Sequence, residues 1–530
     1  MLNGIQLFCR KLFRALYRRA GRYRSLRKGD AIIGRFIRHN KTYWAATPSR
    51  QLTGEVLFEF TTMEPSIVAY SYFANVLSRK HGAKAKSYIF NEGYVIDRLV
   101  QYLYESFNVP IFFCSLDKKQ KDEAIALYKT VYSKLGNKKD VFDLEIMGIY
   151  IGDLIYDYHL KTYTVPTVDI NDSAFHDSLK RGLSYFIFWR DYLKHHNVKA
   201  VNVTHCAYLL AIPLRIAVNY GITAYQCNAH GCYRLSAHRL WAYTEFYDYP
   251  SRFRQFGQDQ RQEMLKFSKQ NIARRFGGEV GVDMHYSTKS AYSSHRLPNV
   301  IRSGDKLKVL VAAHCFFDSP NGLGKNLFID FYEWFHCLGK ISEKTDYDWY
   351  IKTHPDSLPG NVPILRELSE QYPEFTLIPK ETSHHQLIEE GIDVALTVYG
   401  TIGLEYAALG KLVVNASVAN PHIAYDFNLH PRTLEEYENV LMDLENQEIH
   451  IPINQVHEYY GMKNSPDGMD NWLFKNYQEM WETIGYREHF SPISYQYFLD
   501  QFRRFDHERR IQLLENFTES GDYFMNLDHG

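Results

Sequence analysis

The sequence predicts an α/β protein of two Rossmann-like domains facing a cleft, with a basic helix at the N-terminus and a helical tail at the C-terminus. Three observations predict it. Short apolar runs alternate with segments of helical spacing between residues 347 and 417 and again between 55 and 227, the pattern of parallel strands wrapped by helices. At 530 residues the chain is too long for one typical domain. Apolar residues make up 45% of it, enough for two cores, yet no run approaches the roughly 18 apolar residues of a membrane span.

The chain then divides in order. Residues 1–30 carry nine Lys or Arg and no acid before Asp30, with Ile5, Phe8, Leu12, Phe13 and Leu16 on one helical face. That is a basic amphipathic helix, and residues 1–28 are expected to hold the protein on an anionic membrane surface, at the inner face of the cytoplasmic membrane. A solvated helix docked on the protein itself is the other reading. Residues 31–284 form a first Rossmann-like domain. It opens with a strand at 55–60, a helix at 66–80 and a strand at 87–90, and continues with strands at 200–203 and 223–227. Residues 285–306, with five Ser, one Pro and one Gly, read as a linker. Residues 307–445 form a second Rossmann-like domain. Residues 446–530 form the tail, expected to pack back on the first domain.

The second domain carries the chemistry. Strands are expected at 308–313, 349–352, 375–378, 394–398 and 412–415, with helices at 361–372, 383–390 and 401–409. Ligands of such sheets bind at the carboxyl ends of the strands. Lys352, His354 and Pro355 fall there after one strand, and Gly400 and Thr401 after another. Thr382 and Ser383 precede a helix, and Ser383 with Gln386 has the spacing of a capping box. At Gly400–Thr401 a strand meets a helix start, where free N–H groups and the helix dipole favour an anion. Thr401 either caps that helix or binds a phosphate oxygen, and Glu405, one turn in, can reach a ribose hydroxyl or a base. The loop at 314–326 has Gly322 and Gly324 as candidate hinges over the cleft. It is not a P-loop, because the spacing fails at Ser319 and Asn326.

These residues carry a resemblance. His-Pro after a strand, a Thr-bearing strand-to-helix turn followed by Glu, then G-K-x-V-V, resembles the C-terminal half of GT-B glycosyltransferases. The nearest group is the bacterial capsule-polysaccharide synthesis group, which includes the Kdo transferases and the HP-motif sialyltransferases. The resemblance covers residues 308–441. It implies that His354 and Thr401 hold the phosphate of a CMP-sugar such as CMP-Kdo, and that the acceptor is a surface polysaccharide or glycolipid. The sialyltransferases' acidic triplet is not evident in the first half. A UDP-sugar transferase, an isomerase like the UDP-N-acetylglucosamine 2-epimerases, and a non-catalytic scaffold of a capsule-assembly complex are the alternatives.

In the first domain, residues 145–160 place Asp153 and Asp157 on one helical face. The segment resembles one that lines the cleft of capsule-type transferases; Gly152 and Asp153 read equally as a turn and cap. Asp153 is the first candidate for a catalytic base and His230 the second, with His205 a further acid–base candidate. No metal is required by the pattern and no cofactor beyond the nucleotide-sugar donor. Equal numbers of basic and acidic residues, 61 of each, give no nucleic-acid signature. Seven cysteines without a C-x-x-C pair argue for a reducing compartment and against a disulfide or zinc framework.

Overall fold

The computed structural model describes residues 31–44, 52–90, 96–229, 231–283, 289–293, 295–353, 358, 360–448, 450–464, 472–473, 493–504 and 507–525. Residues 1–30, where the basic helix is expected, and His230, His354 and Pro355 therefore lie outside the described residues. What is described is the expected α/β architecture, with two separate sheets.

The first sheet is built from β1 (Glu55–Glu59), β2 (Lys84–Phe90) and β3 (Ile111–Cys114). A small hairpin, β4 (Glu145–Ile146) and β5 (Ile149–Tyr150), stands apart. The sheet resumes with β6 (Val198–Val203), β7 (Thr223–Cys227) and β8 (Cys232–Leu235). Its order is β3-β2-β1-β6-β7-β8, parallel except for β8, which runs back against β7. The second sheet contains β9 (Lys308–Ala313), β10 (Asp348–Thr353), β11 (Phe375–Leu377), β12 (Val394–Thr397) and β13 (Leu412–Asn415). All its pairs are parallel, in the order β11-β10-β9-β12-β13. The strand order reverses between β1 and β6 in one sheet and between β9 and β12 in the other, which places a crevice at each reversal.

Local sequence explains these elements. β12 (VALT) and β13 (LVVN) are buried along their whole length, because helices cover both faces. The Glu64–His81 helix starts with Pro65 in its first turn and stops at Gly82, whose left-handed φ of 57° forms the C-cap. At the carboxyl-side helix of 383–390 the expected capping box does not form. The helix spans His384–Glu389, and Ser383 sits at its N-cap without a side-chain bond. Gln386 is taken instead by the Leu297 backbone and Glu390.

The cores cross the chain order. Phe246, Tyr249, Met264 and Ile272 pack with Leu404, Ala407 and Tyr459, so the Gln258–Phe276 and Ile453–Asn464 helices sit together against the second sheet's layer. Tyr495, Phe498, Leu514 and Phe517 pack with Val56, Phe58 and Phe73 of the first sheet. The segment before β9 is tied to the second sheet's layer through the Ala291 carbonyl, Val300, Ile301 and Arg302.

Candidate functional site

The two carboxyl edges face each other. Tyr208, which follows β6, donates to Asp318, which follows β9, at 2.9 Å. Lys161 pairs with the same carboxylate at 2.6 Å. Next to them Asp157 accepts from the Asn321 backbone N–H at 3.1 Å and its Nδ2 at 2.9 Å, all of it buried. Asp330 accepts from Tyr156 and, at 2.6 Å, from Thr167. The loop bearing Gly322 and Gly324 is therefore not a free lid. It is clamped to the Gly152–Tyr163 helix through Asn321 and Asp318, and a Cβ at Gly324 would stand 2.9 Å from the Ala419 Cβ. Burial pushes the Asp157 pKa up to about 8, against the pull of the Asn321 donors.

Asp153, on the same helix, does not stand open as a base. It is 2% exposed, and its Oδ2 is paired with Arg215 at 2.8 Å. Arg215 also bonds the Tyr150 carbonyl and stacks its guanidinium over Trp241. Burial pushes the Asp153 pKa up although Arg215 pulls it down. A buried carboxylate locked to a buried guanidinium positions its helix; removing either partner would strand a charge. His205 is exposed after β6, within the field of Asp318.

The group that sequence reasoning missed is Glu59, the last residue of β1, at the strand-order reversal of the first sheet. Its Oε2 accepts from the Thr204 backbone N–H at 2.8 Å and from the Thr204 hydroxyl at 2.9 Å. Among the described residues nothing bonds Oε1. Burial pushes its pKa up to about 7, more than the Thr204 bonds pull it down. One oxygen oriented, the other free, and a proton affinity near neutrality is what a general base needs. Its signal in the sequence was faint: an acid closing the apolar run EVLFE.

On the second sheet the expected donor residues gather at the carboxyl edge. Lys352 is 3% exposed; its Nζ donates to the Lys380 carbonyl at 3.0 Å. Burial pushes its pKa down to about 8, with Glu381 and Glu405 opposing. Two and three residues beyond that carbonyl, the hydroxyls of Thr382 and Ser383 are buried without a hydrogen-bond partner among the described residues. Gly400 has a geometric reason to be glycine, since a Cβ there would stand 2.8 Å from Thr397 Oγ1. Its N–H donates to that same hydroxyl at 3.1 Å. His314, another residue that the sequence did not single out, closes this turn: its Nε2 lies 3.0 Å from Thr397 Oγ1 and accepts from the Val398 N–H at 3.2 Å.

Thr401 sits at the N-cap of the Ile402–Ala408 helix but makes no capping bond, and its hydroxyl is turned to Glu405. Glu405 itself accepts from Arg275 and, at 2.7 Å, from Tyr292. Burial opposes its ionised form, yet Arg275, Tyr292 and Thr401 outweigh burial and hold its pKa down. Its carboxylate is thus anchored as an anion. Among the described residues no three His, Cys, Asp or Glu side chains are grouped so as to hold a metal ion.

No family model and no curated protein matches the chain. Solved structures similar to it include the UDP-GlcNAc 2-epimerase of Methanocaldococcus jannaschii in complex with UDP-GlcNAc and UDP, at 11% identity over 76% of this chain and 97% of that one, with a TM-score of 0.25. The UDP-GlcNAc 2-epimerase of Neisseria meningitidis bound to UDP-GlcNAc is similar at 11% identity, covering 78% and 97%, with a TM-score of 0.21. A trehalose-6-phosphate synthase is similar at 11% identity, covering 81% and 98%, with a TM-score of 0.25. Likenesses this distant carry no argument about activity, and the functional reading rests on the chain's own residues.

Proposed function

We propose that the chain is a GT-B-type glycosyltransferase that binds a nucleotide-sugar donor at the carboxyl edge of the second sheet and a glycan or glycolipid acceptor at that of the first. One observation carries the reading: a buried lysine, Lys352, at a strand's carboxyl end, close in the chain fold to two buried hydroxyls, Thr382 and Ser383, that have no partner among the described residues. A buried hydroxyl without a partner costs about 1–3 kcal/mol, and a phosphate or ribose bound there would satisfy both while neutralising the ammonium. Gly400, Thr401 and the anchored Glu405 would complete the nucleotide's surroundings, together with His354 and Pro355.

In the transfer, Glu59 Oε1 takes the proton of the acceptor hydroxyl. The acceptor oxygen forms its bond to the anomeric carbon as the bond from that carbon to the phosphate oxygen breaks. The bonding pair leaves with the nucleotide, whose growing charge Lys352 stabilises. The favoured donor is a CMP-sugar such as CMP-Kdo, on the sequence resemblance, with a UDP-sugar as the alternative. Residues 1–28 would bring the enzyme to an anionic membrane where a lipid-linked acceptor resides.

Titration calorimetry of the full chain with CMP, CDP, UDP and GDP tests the reading. Binding of one nucleotide is expected, weakened about 10- to 100-fold in Lys352→Met, in line with a charge-assisted bond of roughly 1.5–3 kcal/mol. Absence of binding by all four would overturn it in favour of a scaffold. An isomerised sugar nucleotide, formed with no nucleotide released, would overturn transfer.

A further inference from the structure

The hairpin of β7 and β8 holds a feature that the proposed reaction does not use. Cys227 and Cys232 face each other in the ladder, and their Sγ atoms are 2.7 Å apart. Both residues are fully buried, in the cluster that contains Tyr225 and Phe73.

The register explains the closeness. The Asn228 N–H donates to the Gly231 carbonyl at 3.0 Å, so 228 and 231 form the hydrogen-bonded pair that closes the turn. Pairs alternate along an antiparallel ladder, which makes Cys227 and Cys232 a non-hydrogen-bonded pair. Such pairs have Cα atoms about 4.5 Å apart, within the roughly 4.4–6.8 Å that a disulfide spans. No backbone movement is needed to join them.

We propose that Cys227 and Cys232 form a reversible cross-strand disulfide, with a low-molecular-weight disulfide such as oxidised glutathione as the oxidant. One cysteine, as thiolate, attacks the small disulfide and expels one small thiolate. The second cysteine, also as thiolate, attacks the protein sulfur of the mixed disulfide and expels the other. The two protein thiols lose two protons and two electrons, and the small disulfide is reduced to two thiols.

Burial pushes the Cys227 thiol's pKa well up and shields both sulfurs from a small disulfide in the closed fold, so the exchange proceeds through local opening of the hairpin, slowly at neutral pH and faster in mild alkali. The bond would staple a hairpin that other parts of the chain lean on. The Asn228 carbonyl accepts from Trp472 Nε1 at 2.8 Å, and the Cys232 carbonyl accepts from the Met525 N–H at 2.9 Å. The scattered cysteine spacing hid the pair, because C-x-x-x-x-C becomes a contact only once the pairing of β7 with β8 is known.

The full-length protein is incubated with oxidised glutathione in mild alkali, denatured, and its free thiols titrated. Two of the seven thiols are expected to disappear, and peptide mapping should place the cross-link between Cys227 and Cys232, with the loss of two hydrogens. Dithiothreitol should restore both. All seven thiols persisting, a stable glutathione adduct, or a cross-link between other cysteines would each overturn the proposal. A Cys227→Ala variant that folds should keep all its remaining thiols free; if it does not fold, the map of the unaltered protein decides alone.

Discussion

At the scale of single residues, two groups set the expected pH behaviour. As the proposed base, Glu59 must be ionised to accept a proton, and its pKa is raised to about 7. In the proposed donor site, Lys352 must be protonated to hold a phosphate, and its pKa is lowered to about 8. Turnover should therefore rise as pH passes through about 7, and nucleotide affinity should weaken as it passes through about 8; a pH–rate profile and calorimetry at several pH values separate the two. Glu59→Gln should cut turnover by about 10²–10⁴ while leaving nucleotide affinity unchanged, a split that steady-state kinetics beside binding data resolves. Unaltered turnover in a folded Glu59→Gln protein would return the role of base to His230. The sequence offered Lys352, Thr382, Ser383 and Glu405 because each follows a recognisable strand or opens a helix. It did not offer Glu59, since a glutamate at a strand end reads as a surface residue until Thr204, far along the chain, is seen bonding it. Asp153 was legible as an acid on a helix face, but nothing in its own segment announces Arg215.

At the scale of elements, the Gly152–Tyr163 helix is the part on which the seam depends, and its first residue has no room for a side chain. A Cβ on Gly152 would stand 2.2 Å from the Phe142 carbonyl oxygen and 2.4 Å from that of Val141, both backbone atoms that cannot rotate away. Gly152→Ala should thus destabilise the protein by about 1–3 kcal/mol or more, measured as a lowered denaturation midpoint. The strands of the second sheet were legible almost to the residue, because runs such as KVLVAA and LVVN stay apolar when helices cover both faces. What the sequence could not show was competition for side chains. Ser383 and Gln386 have capping spacing, yet the Leu297 backbone and Glu390 claim the glutamine. The loop with Gly322 and Gly324 looked like a lid because its composition is that of a loop; its clamp is made by Asn321 and Asp318 with partners from the other domain.

At the scale of the whole molecule, the two domains meet through a carboxyl group whose proton affinity burial raises. The Asp157 pKa rises from an ordinary 3.8 to about 8 in the folded protein. Between those values the folded state holds a proton that the unfolded chain releases, so this contribution is complete below about pH 4 and is lost as pH climbs through about 8. Asp157→Asn should flatten that part of the pH dependence, seen by comparing the melting temperatures of the two proteins at about pH 5 and about pH 8.5. The way the tail closes the first domain has another consequence, one that concerns synthesis. Lys80, at the end of the helix that backs the first sheet, bonds the Thr518 carbonyl, 438 residues further on. Leu514 and Phe517 cover the same apolar layer. At about 5–20 residues per second a ribosome needs roughly 20–90 s to make that stretch. For all that time the nascent first domain must wait with an apolar flank open to chaperones, although its sheet is among the earliest parts to emerge.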